Sequence, residues 1–537
     1  MSSYNQEPPG TIVLYSQGQS GSYRELVLNP QPSSSPNDPL NWTKGRKAWH
    51  TFLLITITGL GAGLSTCSSA SSYAMTHELS ISDNQFNIAV SILFIGIGSG
   101  TYFMSPLPSL LGRRLPYIIS MAFGIAGSAM LAKVQRKGLL TAAHFGLGVA
   151  ESCAEAMVQH SLADIFFEHQ RGSVLGFYVL AISGGTFLGP LVAGYIAANE
   201  KLGWRWIGWV GVICCVIVLF VFLFSLEETT FDRRSALCHR QATDGDAIKM
   251  TVSEDENPVP SRTQLLNEEP EACVLGTKVP YRKRIAIVTP RSKSISKLAR
   301  GYAYLLYHTP KCFIFPAVLF SGLQWGAQVS LLTFYATVQD VNYFEAPYNY
   351  TDEAVAIMNV PCLIGLVVGI IYGGLLADKY VGWRASRNGG ILEPEYRLWL
   401  TFPAAFIGSA GLLLFGIGTE KGWNWPLPYV GLGFIGFTWG CVGDISLSYM
   451  QQAYPEAILE CMTGVAVINN TIGCAFSFAA GPWFDNQSLT GMFSILAALN
   501  FVITMGAAPM IYWGKRLRRT TAVRYRDFVV QRGAWQN

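Results

Sequence analysis

Glu151 and Glu155 lie four residues apart inside an apolar run, 140–163. On a helix, that spacing puts both carboxylates on one face, about one turn apart. Acids in such a run are costly and turn toward an interior or a water-filled cavity rather than toward lipid. Two of them on one stripe in a low-dielectric medium each favour the neutral form of the other, and burial adds to the effect. One of the pair would then take up and release a proton near neutral pH, or hold a cationic solute when ionised. Hydrogen bonds that only fix helix packing are the plain alternative. His144, seven residues before Glu151, is either a pH-sensitive partner or a satisfied interfacial histidine. Asp444 is a lone acid in a second apolar run, 427–450, with a substrate, proton or structural role. Gln324, Trp325 and Gln328 make a polar–aromatic stripe in 310–337, and Asn469 and Asn470 sit inside 461–483. Amides and an indole suit a cavity wall, and helix–helix hydrogen bonds explain them equally well.

These residues need a framework that holds them in hydrocarbon. Half of the 537 residues are hydrophobic and only 13% are charged, about half the charged share of an average soluble domain. Twelve runs are each about long enough to span a bilayer core: 48–70, 85–106, 115–133, 140–163, 173–198, 206–226, 310–337, 354–376, 398–418, 427–450, 461–483 and 489–513. The expected fold is therefore an all-α membrane protein with two six-helix bundles, 48–226 and 310–513. A polar tail, 1–47, precedes them and a basic tail, 514–537, follows. Between the bundles, 227–309 mixes the acidic stretches Thr243–Asp246 and Glu254–Asn257 with basic runs at Arg282–Arg284 and Arg291–Lys297. It reads as a largely disordered cytoplasmic linker. Gly184, Gly185, Gly189, Pro190 and Gly194 in the fifth run permit close packing and a bend.

Lys and Arg set the orientation. Arg46 and Lys47, Arg113 and Arg114, Arg171, Arg384 and Arg387, and Lys515 to Arg519 all fall on one side, against Lys133, Arg136 and Lys137 on the other. Both termini are expected in the cytoplasm, with no cleavable signal before Pro39. The sequon at Asn349 then faces outward and is the expected glycosylation site, ahead of the one at Asn486, which lies close to the membrane.

No phosphate-binding loop, catalytic triad or zinc-spaced His/Cys set appears, and the eleven cysteines lie scattered, most of them in apolar runs. The sequence thus points away from an enzyme, an ATP-driven pump, a metal site and a nucleic-acid partner. No cofactor is called for. Energy would come from an ion gradient, the proton gradient foremost, or from the solute's own gradient.

Several stretches resemble the fungal major facilitator superfamily in its drug:proton-antiporter-like branch, in particular the group that includes the yeast histidinol and polyamine transporter. They are Asn37–Trp42, Gly112-Arg113-Arg114, Ala163–His169 running into Arg171-Gly172, Gly185 to Gly194, Glu227-Glu228-Thr229, Ala346–Asn349, Arg387–Ile391, Glu393–Leu398 and Gly481-Pro482-Trp483. The resemblance covers nearly the whole chain. It implies alternating access around a central cavity lined by the first, fourth, seventh and tenth helices. It also implies a gate in which Arg113 and Arg114 pair with Asp164 next to Arg171, with Asp378 as the second-half counterpart near Arg384. Ser109, His144 and Gln452 depart from the family pattern, where an acid, an arginine and an acid are usual.

The function expected from all this is secondary transport of a small organic solute by a monomer in the lipid bilayer. Proton-coupled efflux of a drug or secondary metabolite leads; uptake of a cationic nutrient such as a polyamine is the alternative. A non-transporting membrane sensor is the reading from another class. The plasma membrane is the expected location, with a vacuolar membrane as the alternative.

Overall fold

The computed structural model describes residues 8–231 and 278–536, apart from 14, 18–23, 27–29, 34, 293 and 345. The first half holds α1 (Lys44–Thr66), α2 (Asp83–Met104), α3 (Arg114–Ala132), α4 (Lys137–Cys153, continued through Ala154–Val158 and Gln159–Ile165), α5 (Glu168–Ala197) and α6 (Arg205–Ser225). The second holds α7 (Pro316–Asn342), α8 (Asn359–Ile370, continued through Ile371–Leu376 and Ala377–Arg387), α9 (Thr401–Glu420), α10 (Leu427–Ala453), α11 (Ile458–Asn486) and α12 (Leu489–Met505). The final helix, α13, runs Ala507–Gln536.

Packing repeats between the halves. In the first, α2 lies against α4, α1 against α5, and α3 against both α4 and α6. In the second, α8 lies against α10, α7 against α11, and α9 against both α10 and α12. Adding six to each helix number turns one set into the other. The contacts across the halves obey the same rule, α2 with α11 and α8 with α5. Such an internal repeat is how many transporters build two bundles that rock about a central site.

Among the described residues, eleven helices are long and apolar enough to cross a membrane. The expected twelfth, α4, is present at full length but does not pass that test. It carries His144, Glu151, Glu155, Gln159 and His160, and nearly all of it from His144 to Ile165 is buried. Its polar residues are shielded by neighbouring helices, so overall hydropathy understates how it can cross.

Parts of the linker and of both tails are structured among the described residues. The linker is expected to be largely disordered, yet 278–309 is folded, with the amphipathic helix Ile295–His308 bound to α2: the Tyr302 hydroxyl donates to the Phe103 carbonyl and that of Tyr102 to the Leu306 carbonyl, both at 2.8 Å. A reciprocal pair of tyrosine hydroxyls, each donating to a carbonyl of the other helix, is the reason, and composition does not reveal it. The acidic stretches at 243–246 and 254–257 lie outside the described residues. The two tails are also not free. Strand β1 (Ile12–Val13) pairs antiparallel with Ile391–Leu392, while α13 buries Arg518, Tyr525 and Phe528. Arg518 is completely buried between Glu393 and Glu395, at 3.1 and 2.7 Å, and donates to the Pro9 carbonyl.

The close approach of α1 and α5 depends on glycine. A Cβ on Gly185 or Gly189 would overlap the carbonyl oxygens of Gly59 and Gly63 respectively. We expect Gly189→Val to push these helices apart and destabilise the protein by about 1–3 kcal/mol, the usual cost of overpacking, read as a lowered melting temperature of the purified protein in detergent. An unchanged melting temperature would show that the helices can separate at no cost.

Candidate functional site

Between the two halves lies a cavity of about 490 Å³. Its upper walls come from the end of α1, the start of α2 and the ends of α7 and α8 that lie away from both chain termini. Its mouth is flanked by Tyr73 and Phe344, whose rings stack at 5.8 Å across the two halves. Both expected glutamates line its floor and are 7% and 6% exposed. Glu151 has Ser65 of α1 as its polar neighbour. Glu155 lies in the five-residue π turn Ala154–Val158 and accepts a hydrogen bond from the Asn469 amide of α11 at 3.4 Å. Such turns open an α-helix locally and recur at functional sites. This one changes the angular offset between the two acids from that of a regular helix. No Lys or Arg lines the cavity, and among the described residues Glu151 and Glu155 are its only acids.

Aromatic residues share the lining with the acids: Trp325, Trp439, Phe187 and Phe86. Trp325 and Trp439 lie 5.1 Å apart, and the Trp439 indole N–H donates to Ser183 of α5 at 2.7 Å. Above them run the hydroxyls of Ser65, Thr66, Ser68, Ser72, Thr76 and Thr186. The cavity thus combines two acids, π faces that attract cations and a polar upper wall.

The other expected site residues are scattered by the fold. Trp325 and Asn470 line the cavity. Asn469 stands behind Asn470, takes its amide hydrogen, and passes its own to Glu155. Gln324 and Gln328 point the other way, donating to the Ile503 carbonyl and to Asn500 of α12, so the stripe read as one cavity wall splits between two faces of α7. His144 is fully buried off the cavity. One ring nitrogen meets the Leu140 carbonyl and the other the Ser68 hydroxyl, a satisfied packing histidine. Asp444 is also fully buried, below the cavity, where Gly176 of α5 and Gly374 of α8 leave room for its carboxylate and Ser448 donates to it at 3.2 Å.

Beneath the cavity the halves close on each other. The bonds Glu155–Asn469 and Trp439–Ser183 are followed downward by Gln159–Gln451 and by Ser173–Asp378 at 3.1 Å. At the end that carries both termini, Arg113 pairs with Asp164 at 3.0 Å, as the resemblance implies. Arg114 does not join it. It turns to the end of α6 and donates to the Phe222 and Leu223 carbonyls, supplying that helix terminus with the cation its free carbonyls favour. Glu228 completes this corner by accepting from the backbone N–H groups of Arg113 and Arg114. Arg171 reaches the Ala163 carbonyl at 3.0 Å. In the second half Asp378 pairs with Arg397, while Arg384 stands over the Tyr396 ring. Gly189 packs on Gly63, and Pro190 reaches the cavity wall.

Sequence reading missed Trp439, Ser183, Arg397 and the Glu393–Arg518 cluster. Trp439 had a signal in its position, less than two turns before Asp444 on the same helix. Nothing local marks Ser183 as a partner for an indole from the other half.

The comparisons with known proteins agree with this architecture. The model of the Major Facilitator Superfamily matches residues 51–478. An uncharacterised MFS-type transporter of Schizosaccharomyces pombe is 43% identical, the match covering 98% of this chain and 95% of that one. Protein HOL1 of Saccharomyces cerevisiae is 41% identical over 92% and 91%, and the MFS transporter cpaT of Aspergillus oryzae 25% over 90% of each. Among solved structures, the proton:xylose symporter XylE aligns with a TM-score of 0.58 at 13% identity over 87% of this chain and 96% of that one. The human organic anion transporter MFSD10 aligns with a TM-score of 0.53, also at 13% identity, over 89% and 100%. At that identity these two speak for the fold alone. By sequence, helix pairing and cavity, this chain belongs to the major facilitator superfamily of membrane transporters.

Proposed function

We propose that this transporter carries a small hydrophilic organic cation, taken from the side its cavity faces and exchanged at Glu151 and Glu155 against protons. The observation that supports this best is the charge balance of the cavity: two buried carboxylates and no Lys or Arg in the lining. Removing an ion from water costs several kcal/mol unless something compensates it. The one histidine of the lining, His77, is exposed near the Tyr73 rim, so at the two carboxylates the compensating charge is supplied by a proton or by the solute, and the two compete for the same oxygens. The aromatic floor supports a cation as well. The hydroxyl-lined wall suits a solute with hydrogen-bonding groups along its body better than a lipophilic drug, and this favours the cationic-nutrient reading over drug efflux. With the termini in the cytoplasm, the cavity faces outward, at the plasma membrane.

Glu155→Gln is expected to lower uptake of a labelled organic cation in vesicles at least roughly tenfold and to abolish its dependence on a pH gradient, with the protein still folded in the membrane. Normal, pH-dependent flux in that variant would remove the acid from the mechanism. Accumulation driven only toward the opposite side would reverse the direction.

Below the cavity, Asp378→Asn removes the counter-charge of Arg397, whose side chain is 2% exposed. Asp378 also accepts from Ser173 across the halves, so leaving Arg397 uncompensated and weakening that bond together should let the closed end open more often. A cysteine placed at Leu175 should then react with an impermeant thiol reagent from the side of the termini about tenfold faster, equivalent to about 1.4 kcal/mol. An unchanged rate would show that Asp378 does not hold the gate.

Asn349 is exposed on the turn after α7, with a left-handed backbone at φ 48°. A glycan there would place that end of the molecule outside the cytoplasm. Glycosidase treatment should increase gel mobility in the wild type and leave Asn349→Gln unchanged; a wild type insensitive to the enzyme argues against the site.

A further inference from the structure

We propose that residues 278–311 form a binding surface for anionic phospholipid at the end of the molecule that carries the termini, and that lipid held there steadies the closed gate. The segment contains nine Lys and Arg and no Asp or Glu. Arg284 is paired with Glu227 at 3.2 Å, whereas Arg282, Lys283, Lys297 and Arg300 are exposed and make no ion pair among the described residues. Large apolar side chains stand exposed among these charges: Tyr281, Ile287, Val288, Ile295 and Tyr307, the last two 83% and 75% exposed.

Helix Ile295–His308 turns Gly301 and Leu305 inward and Ile295, Arg300, Ala303 and Tyr307 outward. Its hydrogen bonds to Tyr102 and Phe103 hold it level with the last turn of α2, where the hydrocarbon of a surrounding bilayer ends. A helix at that height with an apolar and cationic outer face lies in the plane of the membrane surface. The charge complement of such a face is a layer of anionic headgroups, each nearby Lys or Arg contributing about 1 kcal/mol. An acidic protein partner would leave the exposed Ile295 and Tyr307 without a role.

The same segment is fastened to the gate. The backbone N–H groups of Thr289 and Arg291 donate to the Leu111 and Leu110 carbonyls at 2.9 and 3.1 Å. These two leucines directly precede Gly112 and the gate residue Arg113. The backbone N–H of Glu228, whose carboxylate holds the N–H groups of Arg113 and Arg114, donates to the Arg284 carbonyl at 2.9 Å. Lipid that pins 278–311 to the membrane surface would therefore hold the connection between α2 and α3 in its closed position.

The full chain is reconstituted in vesicles of phosphatidylcholine, with or without one part in five of phosphatidylserine. Wild type is compared with R282Q/K283Q/K297Q/R300Q, which changes exposed side chains only; an equal melting temperature in phosphatidylcholine confirms its fold. Lipid retained on re-extraction at low salt is counted by mass spectrometry. The variant should retain roughly tenfold less phosphatidylserine and the same phosphatidylcholine. In the Leu175→Cys background, phosphatidylserine should slow labelling from the side of the termini for the wild-type linker and not for the variant. Equal retention of phosphatidylserine by the two proteins overturns the binding surface. Different retention with equal labelling rates in both vesicle types overturns the link to the gate. Neither readout depends on which solute is carried or on Glu151 and Glu155.

Discussion

Removing a carboxylate from water costs several kcal/mol unless another charge or a proton compensates it, and this chain does so twice, at Glu151 and Glu155 on neighbouring turns of α4. No Lys or Arg of the cavity lining offers itself as a partner. The protein therefore leaves part of its own electrostatics incomplete, to be finished by whatever enters. Much of the surrounding structure serves to keep that deficit tolerable. Helix α4 is covered by α2, α3 and α1, Trp325 and Trp439 line the same cavity as the acids, and the amides of Asn470 and Asn469 lead by hydrogen bonds to Glu155.

The Asn469 bond also joins the two halves, since α11 belongs to one and α4 to the other. Glu155, the acid proposed to meet the solute, is thus also part of the contact that closes the two halves on each other. A cation or proton that takes over its oxygen competes with Asn469, and weakening that bond loosens the uppermost link in a series continued by Trp439–Ser183, Gln159–Gln451 and Ser173–Asp378. The two ion pairs at the far end, Arg113–Asp164 and Asp378–Arg397, brace each half internally. The four links named between the halves are hydrogen bonds, two between neutral groups and two from an amide or a hydroxyl to an acid. Links of that kind are individually worth about 1 kcal/mol, a suitable scale for a contact that must part and re-form in every cycle.

The helices and their order were legible because a bilayer imposes length and apolarity on each span, and because Gly112-Arg113-Arg114 and similar stretches carry a family pattern. The glutamates were legible for the opposite reason, as costly residues in an apolar run. The direction of Gln324 and Gln328 was not, because both faces of α7 are covered and only the position of α12 decides between them. His144 stood open between a pH-sensitive partner and a satisfied interfacial histidine, because its partner Ser68 lies seventy-six residues earlier. Asp444 was correctly marked as buried and acidic, but its depth relative to the cavity floor depends on the way α5 and α8 meet through Gly176 and Gly374. The ordered part of the linker and the docked tails escaped notice because they are held by scattered hydrogen bonds and ion pairs rather than by a periodic apolar face.

Helix α4 has a history as well as a role. It is the one span of the twelve without enough apolar length to pass as a membrane helix by composition, and it is the span that carries the two cavity acids. During synthesis such a segment gains little by entering lipid alone. It becomes stable in the bilayer only once α2 and α3, made before it, offer their inner faces, with α1 and α5 completing the cover. The residues that make the protein a carrier therefore also make its assembly cooperative. A variant that weakens the meeting of α2 with α4 would be lost at the stage of insertion, before there was a cavity to test.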